Sequence, residues 1–444
     1  MRLGIDSNPT GAQSRSWASG ESGTDLDDTP KKEGEDMKRF LVLAILATFV
    51  LGAGVANAAT TLKTSGEMTF NYGWWDNTNF FDGEYDRGQE DDLMASQRFR
   101  AYFDWSASEA LRGVFGIEFG TAIWGNQASG ADLDGDERAI EVKHAYMDFT
   151  VPNTGLLVRM GLQPIALPGN FGSPVFDVDA PGILTQYKFN DMFSAALGWF
   201  RAMNVDTGTS EIGASSGNKN DEIDVFALML PITGAGFEFT PWAAYAIHGA
   251  NASGNAPLDA RLAATNATTP IADQLDVIWV GGSLKLSMFA PFEIMADLIY
   301  GSQDGSNNSQ NDREGWFFDL GVNYKMDAVT PGVFFMYSTG DDDDPSDGSE
   351  RIPSCGGNVF FTSFGFAGAA GLLDEGAAGW ADRNLSNDGT EGLWVLGAQL
   401  ANFSFVKDLS HVVRVAYGEG TNDSDLVKNR SEEHTSELQS RFGI

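Results

Sequence analysis

The chain has 444 residues, 42% hydrophobic and 20% charged, with a formal net charge of -34. An acidic balance of this size excludes a nucleic-acid-binding role, which requires a basic footprint. The single cysteine, Cys355 in "PSCGG", excludes an intramolecular disulfide framework, and 52 glycines with 31 phenylalanines describe an aromatic, glycine-rich β protein.

Residues 1–36 are polar, rich in Gly, Ser and Asp and without apolar periodicity; they read as a disordered or spurious upstream extension. From Met37 the chain runs "MKRFLVLAILATFVLGAGVANA", with Lys38 and Arg39 as a basic start, Phe40 to Val50 as an apolar run and Ala56-Asn57-Ala58 as a small-x-small cleavage site. Residues 37–58 therefore read as a secretory signal peptide, cut before Ala59. A transmembrane helix is the competing reading, but the apolar run is short and ends in a cleavage pattern. After Ala59 no apolar stretch reaches the roughly 18 residues of a membrane-spanning helix, which excludes a helical membrane protein. The mature chain is expected to be exported in a double-membraned bacterium.

From residue 59 to 429, stretches of alternating character follow one another. In "QRFRAYFDW" (97–105), Arg98, Arg100, Tyr102 and Asp104 share one face of a strand, and Phe99, Ala101, Phe103 and Trp105 share the other. "ALRGVFGIEFG" (110–120) sets Phe115, Ile117 and Phe119 against Arg112, Gly116 and Glu118, and "LLVRMGLQ" (156–163) sets Leu156, Val158, Met160 and Leu162 against Arg159, Gly161 and Gln163. "FEIMADLIYG" (292–301), "FFDLGVNYK" (317–325) and "HVVRVAYGE" (411–419) repeat the pattern. "AIEVKHAYMDF" (139–149) breaks it, because either register puts a charge on the apolar side; a bulge near His144 would repair it.

One such strand fits a soluble sandwich or a membrane barrel equally, since only the assignment of the faces differs. The connections separate the two. Short ones such as "VPNTG" (151–155) and 190–192 alternate with long polar ones at 76–92, 121–138, 202–221, 249–273, 301–314 and 340–390. A barrel with short periplasmic turns and long external loops requires this, and a sandwich does not. The expected fold is an all-β transmembrane antiparallel barrel of about 16 strands; about fifteen candidates are found, and single-chain bacterial barrels take an even number. Arg430 to Ile444, "RSEEHTSELQSRFGI", bears no relation to what precedes it and reads as a translated sequencing-library adapter standing where the last strand is expected.

The block "SQRFRAYFDWSASEALRGVFGIEFG", then "WGN", the "PNT" turn, "GLQP", "LP" and "GSPVFD", resembles the outer-membrane homotrimeric porins of sulfate-reducing and related proteobacteria over roughly residues 59–205. The resemblance implies a sixteen-stranded barrel, three per assembly, passing ions and small hydrophilic solutes. It also implies a loop after the fifth strand that folds into the lumen, here Gln163 to Gly182, with Asp177 and Asp179 as its carboxylates.

Arg98, Arg100, Arg112 and Arg159 have lumen parity on successive strands, and Lys143 and Lys188 are expected to join them. A basic wall facing an acidic loop would set a transverse field that tunes ion selectivity. The bland alternative is that these arginines pair with Asp104 and Glu118 and hold the lumen together. The carboxylate clusters at 132–137 and 340–350 fail EF-hand spacing, because Glu137 stands at the sixth-position glycine and Lys143 at the bidentate glutamate, so they read as solvated external loops with loose divalent bridging to lipopolysaccharide. No cofactor and no metal are expected, and membrane lipids, lipopolysaccharide and copies of the same chain are the expected partners. Competing classes are a substrate-selective channel, a non-conducting surface or adhesin barrel, an enzyme and a soluble sandwich; no Gly-x-Ser-x-Gly elbow lies near His144, His248 or His411.

This reading predicts that Phe103→Arg, on the lipid face, costs about 2 to 4 kcal/mol in unfolding titrations at mid-bilayer depth. It predicts further that Arg100→Glu shifts the zero-current potential toward cations with little loss of assembly.

Overall fold

The computed structural model describes residues 61–76, 91–126, 140–204, 222–250, 252, 274–305, 311–342, 348–359, 392–423 and 441–443. The long strands begin with β1 (Thr61–Asp76), β2 (Asp91–Ser106), β3 (Leu111–Ile123), β4 (Glu141–Thr150) and β5 (Leu156–Ala166). A two-residue β6 (Gly172–Ser173) precedes β7 (Asp177–Lys188), β8 (Ser194–Asn204) and β9 (Glu222–Met229). The short β10 (Ile232–Gly234) leads to β11 (Phe237–His248), β12 (Leu275–Leu286), β13 (Phe292–Asp304), β14 (Arg313–Tyr324) and β15 (Thr330–Ser338). The two-residue β16 (Asn358–Val359), then β17 (Leu393–Val406), β18 (Leu409–Gly420) and the three-residue β19 (Arg441–Gly443) complete the order. Setting aside the short β6, β10, β16 and β19, fifteen long strands remain among the described residues.

These fifteen form one antiparallel meander, each strand pairing with the next, from β1–β2 to β17–β18. In a meander of odd number the first and last strands run parallel, so antiparallel closure takes one strand more, in agreement with the even numbers of single-chain barrels. The connections segregate by end. Turns at 107–110, 151–155, 189–193, 287–291, 325–329 and 407–408 join strands at one end, and the strand ends that flank the long intervals 77–90, 124–140, 205–221, 249–274, 305–312 and 339–392 are at the other. Polar residues build the tight end. Asn153 and Asp408 take positive φ, and the Asn190 side chain accepts from the Met192 and Phe193 amides.

Alternation decides which face goes where. On β13, Glu293, Asp297, Ile299 and Gln303 are buried while Leu298 is 51% exposed; on β17, Leu393 and Val395 are buried while Leu396 is exposed. The outward belt continues through Leu197, Leu228, Ile278, Val280 and Val333. A contiguous apolar belt of this kind is untenable in water and is what a strand wall presents to hydrocarbon. Two aromatic rings border it. At the short-turn end stand Phe292–Tyr324 at 5.0 Å and Tyr187–Phe189 at 4.8 Å; at the long-loop end stand Tyr300–Trp316 at 4.8 Å and Trp394–Tyr417 at 5.6 Å. Phe292 and Tyr300 are eight residues apart on one strand, roughly 26 Å of chain, or about 20 Å across a bilayer for a strand tilted about 40°.

Two expectations about local structure meet the structure directly. The register shifts between Gly116 and Ile117, which pair with His144 and Val142, so Lys143 is the extra residue of the expected bulge. The inward-folded segment, by contrast, is shorter than 163–182. Gln163 to Ala166 belong to β5 and Asp177 to Gly182 to β7, leaving 167–176 between them. The prolines that suggested a loop, Pro164 and Pro181, lie in the β5–β7 ladder beyond the last pairs with β4 and β8, where a missing N–H leaves no ladder partner wanting. Gly161, at φ 121°, could not be another residue here, because a Cβ would meet the Ala145 carbonyl at 2.3 Å.

Candidate functional site

The interior face of β2 to β5 carries charge. The Arg100 Nε donates to Glu118 Oε2 at 2.5 Å, Arg112 reaches Asp104 at 2.7 Å and Asp148 at 3.0 Å, and Arg159 grips Asp148 with two bonds of 2.6 and 3.0 Å. The bulge on β4 turns both Lys143 and His144 inward. Lys143 bonds Asp179 and stands 3.5 Å from Glu118, while His144 Nε2 lies 2.9 Å from the other Asp179 oxygen. Arg201 and Asp224 make a bidentate pair further round, both bonds at 2.9 Å. Aromatic rings brace the array: Tyr102 stacks on His144 at 5.4 Å, and the Arg159 guanidinium lies 4.4 Å over Tyr146.

Partly buried charges are stable only when paired, and nearly every arginine here has its carboxylate. Among the described residues Arg98 is the exception: its Nε is buried without a hydrogen-bond partner and no ion pair reaches it. The wall is therefore a balanced ladder, with Asp179 as the carboxylate that the inward-folded segment's own strand supplies. Arg98, Arg100, Arg112 and Arg159 share that face by strand parity, and Lys143 joins it through the bulge rather than by parity. Lys188 does not. It ends β7 at the short-turn side, its side chain 61% exposed and bonded at 2.8 Å to Asp191, whose carboxyl the ammonium holds below the usual range. Asp177 opens β7, and its amide donates to the Gly356 carbonyl at 2.7 Å.

Segment 167–176 crosses the interior and is pinned to the far wall. Trp242 of β11 donates to the Pro168 carbonyl at 3.1 Å. Asn170 gives its amide to Asp297 Oδ2 at 2.6 Å and its side chain to Asp297, Ser283 and the Leu284 carbonyl. Phe171 lies over Gly321 of β14, where a Cβ would meet the ring at 2.3 Å. Beneath Asn170, Asp319 Oδ1 accepts the Asp297 amide at 3.1 Å.

The interior face of β8 to β17 differs from the expected wet lumen. Phe200, Val225, Trp279, Ile299, Phe317, Met336 and Val395 are buried there in one apolar cluster with Leu167, Val175 and Phe176. These side chains alternate with the lipid-facing ones, so much of both faces of these strands is apolar, with charged residues such as Arg201, Asp224, Glu293, Asp297 and Asp319 set among the inner ones, and the sequence pattern alone identified only the outer set. The residues His144, Asp148 and Arg201 were missed as interior partners; the broken alternation around "VKHAY" was the available signal for His144. The acidic stretch 132–137 and residues 343–347 lie outside the described residues. At the edge of the latter, burial pushes the Glu350 carboxyl above its ordinary range, although it accepts the Asp342 amide.

One of the sequence expectations changes in consequence. Arg100→Glu would place a second carboxylate against Glu118, so its loss of assembly is not small but on the order of 3 kcal/mol, as for breaking other buried pairs.

No protein-family model matches the sequence, and no curated protein matches it. Among solved structures the chain is similar to OmpT of Vibrio cholerae, an outer membrane protein in trimer form, at 11% identity and a TM-score of 0.44, with 82% of this chain and 90% of that one covered. It is similar also to Salmonella typhi OmpF in complex with daunomycin, at 11% identity and a TM-score of 0.45 over 84% and 94%. A third is OccK11 of Pseudomonas aeruginosa, at 12% identity and a TM-score of 0.43 over 81% and 79%.

Asp148 neutralises two arginines at once, so Asp148→Asn should leave one positive charge in excess and move the zero-current potential in a KCl gradient toward anion preference, with the folded wall retained. An unchanged potential would mean that ions do not pass this ladder.

Proposed function

We propose that the chain is an outer-membrane porin, a pore for passive diffusion of ions and small hydrophilic solutes, working as a homotrimer among lipids and lipopolysaccharide. One observation carries the reading: a strand wall that is apolar outside, bordered by aromatic rings at both ends, and lined inside by an ion-paired polar ladder. The sign of that arrangement is inverted relative to a soluble protein and suits a membrane barrel with a wet interior. Arg98, Arg100, Arg112, Lys143 and Arg159 act as its basic lining and Asp177 and Asp179 as carboxylates beside the constriction; Lys188 serves the short turn instead.

A second reading, a substrate-selective channel, draws on the apolar half of the interior. With 167–176 docked on that half, solutes are left the charged side, which favours polar and ionic solutes over bulky ones.

Single-channel currents of the mature chain in a planar bilayer test the proposal. Conductance steps grouped in threes are expected, each passing both KCl ions. Silence from correctly folded, heat-modifiable protein would move the chain to the non-conducting barrels.

A further inference from the structure

The long connection between β15 and β17 contains a stretch, 348–359, that does not stay outside. At its start Ser349 pairs with the upper end of β14: the Ser349 amide donates to the Asp312 carbonyl at 2.9 Å, and the Glu314 amide donates to the Ser349 carbonyl at 3.0 Å. The chain then enters the interior. Ile352, Pro353, Ser354 and Cys355 are buried, and Trp279 of β12 donates its indole N–H to the Pro353 carbonyl at 2.7 Å. Beyond that point the stretch joins the first inward-folded segment. The Cys355 amide donates to the Val175 carbonyl at 3.0 Å, the Ser354 hydroxyl to the Pro174 carbonyl at 3.0 Å, and β16 pairs with β6.

The wall is cut to receive it. Gly301 and Gly315 pair across β13 and β14. A Cβ on Gly315 would meet the Ile352 amide nitrogen at 2.3 Å, and one on Gly301 would meet Ile352 Cγ1 at 2.9 Å and Pro353 Cδ at 3.0 Å. Glycine inside a strand weakens it and is retained where another backbone approaches closely. Two glycines facing each other under one buried crossing stretch, with every inward end hydrogen-bonded, describe a permanent seat rather than a loop that has fallen inward.

We propose that 348–359 is a second constriction element: a strap seated on the Gly301–Gly315 bed that, with 167–176, fills the apolar side of the lumen, confines permeation to the charged β2–β5 side and so sets the size limit for solutes. The inference rests on the porin reading. It makes Ile352 and Trp279 determinants of pore size, although neither carries charge. It also explains why Trp279, Ile299, Phe317 and Met336 are apolar although they face inward, since those side chains lie in one buried cluster with Ile352 and Cys355 of the strap and with Leu167, Val175 and Phe176 of its partner.

The test uses the mature chain in planar bilayers with Gly315→Val, which fills the seat with a β-branched side chain suited to a strand. Gly113→Val is the control, because a Cβ at Gly113 meets nothing within 4 Å. Cys355, the single cysteine and a buried residue of the strap itself, reports release through its reactivity toward a water-soluble maleimide. Expected are protected Cys355 in the parent and in Gly113→Val, labelled Cys355 in Gly315→Val, a rise of about twofold in single-channel conductance, and passage of polyethylene glycols that the parent excludes. Ile352→Asp, which puts a charge into the same seat without touching the wall, should give the same result if Gly315→Val does not assemble. Labelled Cys355 with unchanged conductance and exclusion limit would overturn the proposal, as would protection of Cys355 in both variants. A parent protein that forms no channel at all would instead count against the porin reading.

Discussion

Everything in this fold depends on the requirement that a backbone in hydrocarbon satisfy all its hydrogen bonds within the protein. A strand wall meets it only as a continuous ladder, and a ladder of antiparallel neighbours imposes two-residue alternation on every strand. From that follow the meander from β1 to β18, the separation of tight turns from long connections, and the outward apolar belt of Leu197, Val280, Leu298 and Leu396. The same alternation frees the opposite face for a different solvent. On β2 to β5 that face is polar, and partial burial favours pairing of its charges, so Arg112, Arg159 and Asp148 lock into one unit while Arg98 is left without a carboxylate among the described residues.

The interior is asymmetric because two stretches of chain fold into it on one side. Where 167–176 and 348–359 lie, the wall beneath is largely Trp279, Ile299, Phe317 and glycines, with Asp297 and Asp319 under Asn170; on β2 to β5 it is built from arginine, lysine and carboxylates. Packing against the inward-folded stretches thus takes one part of the circumference and the ion-paired ladder another. Asn170, clasping Asp297 and the strand carbonyls around it, holds the first stretch against the wall, while the second lies on Gly315.

Much of this was legible in the sequence, for a physical reason. Period-two alternation in "QRFRAYFDW" and "FEIMADLIYG" assigns inner and outer faces residue by residue, and the broken period at "VKHAY" marks the bulge that turns Lys143 and His144 inward together. Pro164 and Pro181 misled, because proline content signals a loop wherever strand pairing on both sides is assumed, and these two sit where pairing is one-sided. Lys188 misled because parity says which face a residue shares but not how far along the strand it stands. The second inward stretch was illegible: "RIPSCGG" within a long polar connection resembles any loop, and its seat at Gly301 and Gly315 exists only once β13 and β14 are paired.

The most direct test of the account is the side from which two positions can be reached in folded, membrane-inserted protein. In a Cys355→Ser background, Tyr102→Cys and Leu298→Cys would be exposed to a charged, membrane-impermeant thiol reagent and to a lipid-soluble one. The account predicts that the charged reagent modifies position 102 and reduces the current through the pore, while position 298 reacts only with the lipid-soluble reagent. Modification of position 298 by the charged reagent, with position 102 protected, would contradict the assignment of inside and outside on which the whole reading stands.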